Sequence, residues 1–301
     1  DNTSSGTSFF WDTTNDYRCA SEVSEIWTNY DGLWNSSSSN INPIKPDNSH
    51  ELLAFKFDGV NYSTGVDDAK LNNNSISFVP QKFRALPVAS LPISGGGAYL
   101  IGLGELVDGI SNGGDNSPTS PFTEITTGNQ PASFLTAGEQ GLDLGKSTAN
   151  IPGGNVSRFN LSSAGITLGN IDDGIPDLLV SQIANPSSNN LDELKFVDSN
   201  GNTVGNEVPI DISFEPILGN WLVDFYNLDS TIDSNRIKGQ RPIYFFSVDI
   251  ADFGITTSNA SNVVALEYTS GGTSDPAFLA FNEPSLGVAT QLTEISAANT
   301  E

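Results

Sequence analysis

Short apolar runs rich in Val, Ile, Phe and Tyr alternate with clusters of Gly, Asn, Asp, Ser and Pro along almost the whole chain, and sustained helical periodicity is nearly absent. A chain punctuated this way can bury its apolar side chains only by pairing short strands. In the first half the runs 52–57, 75–79 and 97–102 read as strands. The one helix-like stretch is Ala20-Ser-Glu-Val-Ser-Glu-Ile26, where Ser21 and Ser24 are available as caps. The second half is more regular, with strands predicted over 177–184, 193–197, 208–214, 221–226, 242–250, 263–268 and 277–281.

This rhythm predicts an all-β fold, an antiparallel β-sandwich or jelly-roll-like arrangement, built as one large or two packed β domains. The expected division is an N-terminal β-rich domain over 1–150, with long polar loops, and a C-terminal antiparallel sandwich over 151–301. The Gly-, Ala- and Thr-rich stretch 130–155 is the boundary candidate, or else a long connection inside one sandwich. Phe196, Trp221, Phe225, Phe245, Val264, Phe278 and Phe281 are expected to supply much of the second-half core.

Asp and Glu outnumber Lys and Arg by 36 to 12, for a net charge of −24. Such a surface disfavours nucleic acid and anionic membranes as partners. The 17 Phe, 7 Tyr and 4 Trp carry too much large apolar surface for a disordered acidic tail. No run approaches the ~18 apolar residues of a membrane span, so no transmembrane segment is expected. The lone Cys19 excludes an internal disulfide framework. With no Met in the chain, Asp1 reads as an end left by signal-peptide removal, which implies secretion. Sequons at Asn2, Asn35, Asn61, Asn73, Asn155, Asn160 and Asn259 suit a secreted glycoprotein.

Two Asp-rich loops have the oxygen density that calcium requires. Asp172-Asp-Gly-Ile-Pro-Asp177 brings Asp172, Asp173 and Asp177 into a turn before a strand, with Gly174 permitting a sharp bend. Asp198-Ser-Asn-Gly-Asn202 places Asp198, Asn200 and Asn202 at alternate positions, and its Asn-Gly pair also predicts a hairpin turn. Each loop reads either as a structural calcium site or as an ordinary turn. Asp67-Asp68 and the series Asp224, Asp229, Asp233 are weaker ligand candidates.

Catalytic readings find little support. His50 is the only histidine and no nucleophile motif accompanies it, so the chain is not expected to be an enzyme. Trp11, Trp27 and Trp34 offer either a sugar-stacking platform or ordinary core packing.

The segments Ile171-Asp-Asp-Gly-Ile-Pro-Asp-Leu-Leu-Val-Ser-Gln-Ile-Ala-Asn-Pro186, Phe196-Val-Asp-Ser-Asn-Gly-Asn-Thr-Val-Gly205, Asp252-Phe-Gly-Ile255 and Thr273-Ser-Asp-Pro-Ala-Phe278 resemble secreted surface proteins of Bacteroidetes. The resemblance implies β-sandwich cargo of the type IX secretion route, placed at the cell surface or outside the cell. It transfers no catalytic residue. Asp12-Thr-Thr14 and Asp229-Ser-Thr231 are similar to the O-glycosylation patterns of those bacteria, which marks Thr13 and Ser230. The C-terminal 294–301 segment does not resemble their sorting domain.

The functional expectation is a structural or adhesive surface protein, a filament subunit stabilised by calcium. Phe9, Phe10 and Trp11 would anchor an N-terminal arm on a neighbouring copy, giving a homopolymer. The alternative is a carbohydrate-binding module that uses the early tryptophans to hold glycans.

Overall fold

The computed structural model describes residues 22–37, 47–93, 99–107, 120–183, 191–233, 239–272, 275–289 and 293–296. The first part of the chain supplies β1 (Val23–Thr28), β2 (Trp34–Asn35), β3 (Leu52–Phe57), β4 (Val60–Ser63), helix α1 (Asp68–Asn73), β5 (Phe83–Ala85), β6 (Val88–Ser90) and β7 (Leu100–Gly104). Then come α2 (Asn129–Ala132), β8 (Lys146–Ala149), β9 (Val156–Ile166), β10 (Leu178–Gln182), β11 (Asp192–Val197) and β12 (Thr203–Ile210). The last elements are β13 (Gly219–Asn227), β14 (Gly239–Val248), β15 (Ala265–Thr269), β16 (Leu279–Asn282), β17 (Leu286–Val288) and β18 (Thr293–Ser296).

The protein is all-β, and the described strands form three sheets. A four-stranded sheet runs β2-β1-β3-β4, a seven-stranded sheet runs β5-β16-β10-β14-β13-β7-β8, and a second seven-stranded sheet runs β12-β11-β15-β9-β18-β6 with β17 paired to β9. Among the described strands the named pairs are antiparallel except β18 with β6, and the isolated bridge between Tyr62 and Val79 is also parallel. The first seven-stranded sheet takes β5, β7 and β8 from before residue 150 and β10, β13, β14 and β16 from after it. Hydrogen bonding therefore runs across the 130–155 stretch, whose β8 pairs with β7.

Alternation of side chains places that sheet in the middle of three layers. Along β10, Leu178 and Val180 join one apolar cluster with Phe196, Leu266 and Tyr268 of the second large sheet. Leu179 faces the other way, into a cluster with Phe55 and Phe57 of the four-stranded sheet. On β14, Tyr244, Phe246 and Val248 likewise belong to the first cluster, and Ile243 and Phe245 to the second. A strand buried on both faces needs apolar residues at successive positions, which is why β14 reads Ile-Tyr-Phe-Phe. The outer sheet instead alternates, and pairs such as Arg158–Glu267 at 2.9 Å and Lys195–Glu207 at 3.1 Å lie on its open side. Its edge strand β12 carries Pro209 and Glu207, residues that discourage further strand addition.

Most predicted strands fall within one to four residues of the observed ones. Three expectations are corrected. Of the helix-like stretch at 20–26, the residues from Val23 onward belong to β1, which pairs with β3, and Ala20 and Ser21 lie outside the described residues. Register shifts between Val23 and Glu25 and between Trp27 and Thr28 put Val23, Ile26 and Trp27 in the core at a spacing that imitates a helix. Residues 75–79 make only an isolated bridge, between Val79 and Tyr62. Val264 is 36% exposed rather than buried, whereas Phe196, Trp221, Phe225, Phe245, Phe278 and Phe281 are all in the core.

Candidate functional site

The first Asp-rich loop closes against a segment far away in sequence. After a 3-10 turn at Leu168–Asn170, the chain reverses with positive φ at Asp172 (62°) and Gly174 (76°). Asp173 stiffens the bend by accepting the Ile175 N–H at 2.9 Å. Asp177 then enters the central sheet, its N–H donating to the Val248 carbonyl at 3.0 Å. Its carboxylate Oδ2 accepts the Ile250 N–H at 2.8 Å. Those contacts bring it beside Asp249, which opens the 3-10 turn Ile250–Phe253 at the end of β14. Asp249 Oδ1 accepts the N–H of Ala251 at 2.7 Å and that of Asp172 at 3.1 Å. Asp252 completes a capping box by accepting the Asp249 N–H at 2.8 Å.

Asp172 and Asp173 remain exposed, while Asp177 and Asp249 are buried. Asp177 Oδ1 and Asp249 Oδ2 are enclosed without a hydrogen-bond partner. Burial drives the Asp177 carboxyl well above the usual carboxylate range, and the neighbouring Asp249 charge adds to the effect. Asp249 is raised in turn, again chiefly by burial. Asp252 is pushed up to about 8 by burial, with Asp249 and Asp172 contributing. Asp249 and Asp252 were not candidates from sequence, because nothing in a linear reading places position 249 against position 177.

The second loop forms the predicted hairpin between β11 and β12. Asp198 Oδ1 accepts the N–H groups of Asn200 at 2.8 Å and Asn202 at 2.9 Å, and Oδ2 accepts Asn202 Nδ2 at 3.1 Å. Bonds from Asn202 hold this carboxyl below its ordinary value. The carboxylate is thus engaged by its own turn. Beside it lies an open polar depression of about 580 Å³ bordered by Thr203, Asn259 and Asn262. Asp67, among the weaker candidates, caps α1 by accepting the Lys70 N–H at 2.8 Å.

Trp27 is only 5% exposed and packs in the apolar cluster of the small sheet, with Lys56 Nζ 5.9 Å from its ring centre. Trp34 packs partly against the same cluster. Sugar stacking needs at least one open ring face, which the buried Trp27 does not offer, whereas Trp34 is half-buried. Asn155 is 5% exposed, so its sequon is enclosed in the folded chain. Ser230 sits on a surface turn after β13 with a φ of 68°. Trp11, Thr13, Phe9, Phe10 and Cys19 lie outside the described residues.

His50 is wholly buried, both ring nitrogens lack partners, and burial lowers its pKa to about 3. It is held as a neutral ring edge-on to Tyr30, 6.0 Å between centres. Among the described residues no three acidic, His or Cys side chains converge as a metal-binding set, and no helix is long and apolar enough to cross a membrane. No protein-family model, curated protein or solved structure matches the chain.

Proposed function

We propose that this chain is a secreted structural or adhesive protein of a cell surface or extracellular matrix, a filament subunit whose fold is stabilised by calcium. One observation supports this reading above others: the deeply buried polar groups act as fasteners between layers. At the far end of β10 from Asp177, Gln182 Nε2 donates to Asp192 Oδ2 at 2.7 Å, joining the central sheet to the outer one. The Tyr268 hydroxyl and the Gly271 N–H meet the same carboxylate. Such cross-layer fastening suits a protein that must keep its shape under load. The resemblance to Bacteroidetes surface proteins and the acidic skin favour the same setting.

Self-assembly would proceed by an arm spanning residues 1–11, with Phe9, Phe10 and Trp11 seated on the next copy. A head-to-tail contact of that kind builds an open filament when its rotation does not close. Electron microscopy of the intact protein with calcium present should show polymers, and the protein lacking residues 1–11 should remain monomeric. Two monomeric samples, or two that polymerise equally, would refute the arm.

A further inference from the structure

We infer that Asp177, Asp249 and Asn282 form one internal calcium site at the end of the central sheet, with Asp172 and Asp173 at its mouth. The inference deepens the calcium part of the proposed function and is independent of how copies assemble.

Asp177 and Asn282 lie opposite one another on β10 and β16. The register pairs Leu178 with Phe281, and the Asn282 N–H donates to the Asp177 carbonyl at 2.8 Å. Opposed residues in an antiparallel pair share a face, with Cβ atoms ~5 Å apart. Asp249 approaches from β14 on the other side, positioned by the Asp177 bond to the Ile250 N–H. Three strands therefore deliver three side-chain oxygens to one end of the sheet.

Each of the three residues has one buried oxygen outside hydrogen-bond geometry, Asp177 Oδ1, Asp249 Oδ2 and Asn282 Oδ1, with the Ser285 hydroxyl beside the Asp177 carboxyl. Their other polar atoms are engaged, including Asn282 Nδ2, which donates to Gln81 at 3.1 Å. Asp177 is 0% exposed and Asp249 3%. Two neighbouring carboxylates cannot both stay ionised in such an enclosure without a cation or a shared proton. The unpartnered atoms of the three residues are all oxygens, which selects a hard cation. Calcium tolerates a mixed set of carboxylate, amide, backbone and water oxygens, so the two carboxylates and the amide would supply part of its shell, with backbone carbonyls and water completing it. Asp172 and Asp173, exposed at the mouth, add negative potential along the entry route.

The test is calcium titration by calorimetry on chelator-stripped protein, paired with thermal unfolding. The parent should bind one ion and melt higher when calcium is added. Asp249→Asn keeps the helix-capping oxygen but removes one charge. This variant should bind calcium at least tenfold more weakly and lose most of the calcium-induced rise, while melting no lower than the parent in metal-free buffer. Asp177→Asn should behave alike, and Asp249→Asn carries the test if Asp177→Asn fails to fold. Asp198→Asn, in the hairpin loop, should bind as the parent does.

No binding by the parent would overturn the inference and identify the pair as sharing a proton. Binding abolished by Asp198→Asn but unchanged in Asp249→Asn would overturn it in favour of the hairpin. Neither result would bear on polymerisation, which the arm deletion tests separately.

Discussion

The Tyr268 hydroxyl donates to Asp192 Oδ2 at 2.8 Å inside the interface between the two large sheets. Tyr268 is 1% exposed and Asp192 5%. The same carboxylate takes Gln182 Nε2 at 2.7 Å and the Gly271 N–H at 2.7 Å, so a buried charge is met by three donors from two chain segments. Gln182 Oε1 extends the network by accepting the Asp275 N–H at 2.9 Å. Hydrogen bonds to a buried charge contribute more than neutral ones because the alternative is an unsolvated carboxylate.

Tyr268→Phe should therefore cost ~1.5–3 kcal/mol, the range for a hydrogen bond to a charged group. Asp192→Ala should cost more, since it leaves three donors without their acceptor. Urea unfolding midpoints at constant slope would measure both. A loss under ~0.5 kcal/mol for Asp192→Ala would show that the network contributes little.

Core substitutions should separate the predicted apolar set. Phe225 and Phe278 are 0% exposed, and truncating either to Ala should cost ~3–5 kcal/mol. Val264→Ala should cost under ~1 kcal/mol, because its side chain is already partly in water. Equal losses at the three positions would contradict the observed orientation of Val264.

Gly205 holds β12 against the 3-10 turn that follows β14. Its φ is 79°, and a Cβ there would lie 2.0 Å from the Phe253 carbonyl oxygen. Gly205→Ala should destabilise by ~2 kcal/mol or more, combining left-handed strain with overpacking. Gly59 has the same φ with open space around it, so Gly59→Ala should cost ~1 kcal/mol. Thermal unfolding of the two variants would reveal whether close approach or φ alone matters.

The buried glutamates should make stability fall as the pH rises towards neutral, while His50, lowered from 6.5 to about 3 by burial, acts the opposite way below pH 6.5. Burial, then the charges of Glu22 and Asp211, lifts the Glu215 pKa from 4.5 to about 8. Between those values the native chain keeps a proton that the unfolded chain has lost. The native state is then favoured by acid, and its advantage declines up to about pH 8 and levels off above. Glu51, raised to about 7 by burial and by Asp143, acts in the same direction. Glu215→Gln should flatten the decline and stabilise the protein at pH 8 by ~1–3 kcal/mol, the scale of an unpaired buried polar group. A pH profile identical to the parent's would rule out Glu215 as the source.

Sequence by itself determined the all-β class, most strand positions and the hairpin at 198–202. Local chemistry suffices for these, since Asn-Gly supplies the turn and β-branched or aromatic runs supply the strands. The run of apolar residues on β14 even signals a strand covered on both faces. Tertiary structure alone decided the partners. In β1 two register shifts disguise strand as helix, and only pairing with β3 resolves the difference. Val264 looks like core because its neighbour Val263 is buried, but which residue turns inward depends on the register with β11. The Asp172–Asp177 loop was legible as a candidate ion site, whereas Asp249 and Asn282 were not. They reach Asp177 through cross-strand neighbours distant in the chain, and a linear pattern contains no distance between strands until the sheet has formed.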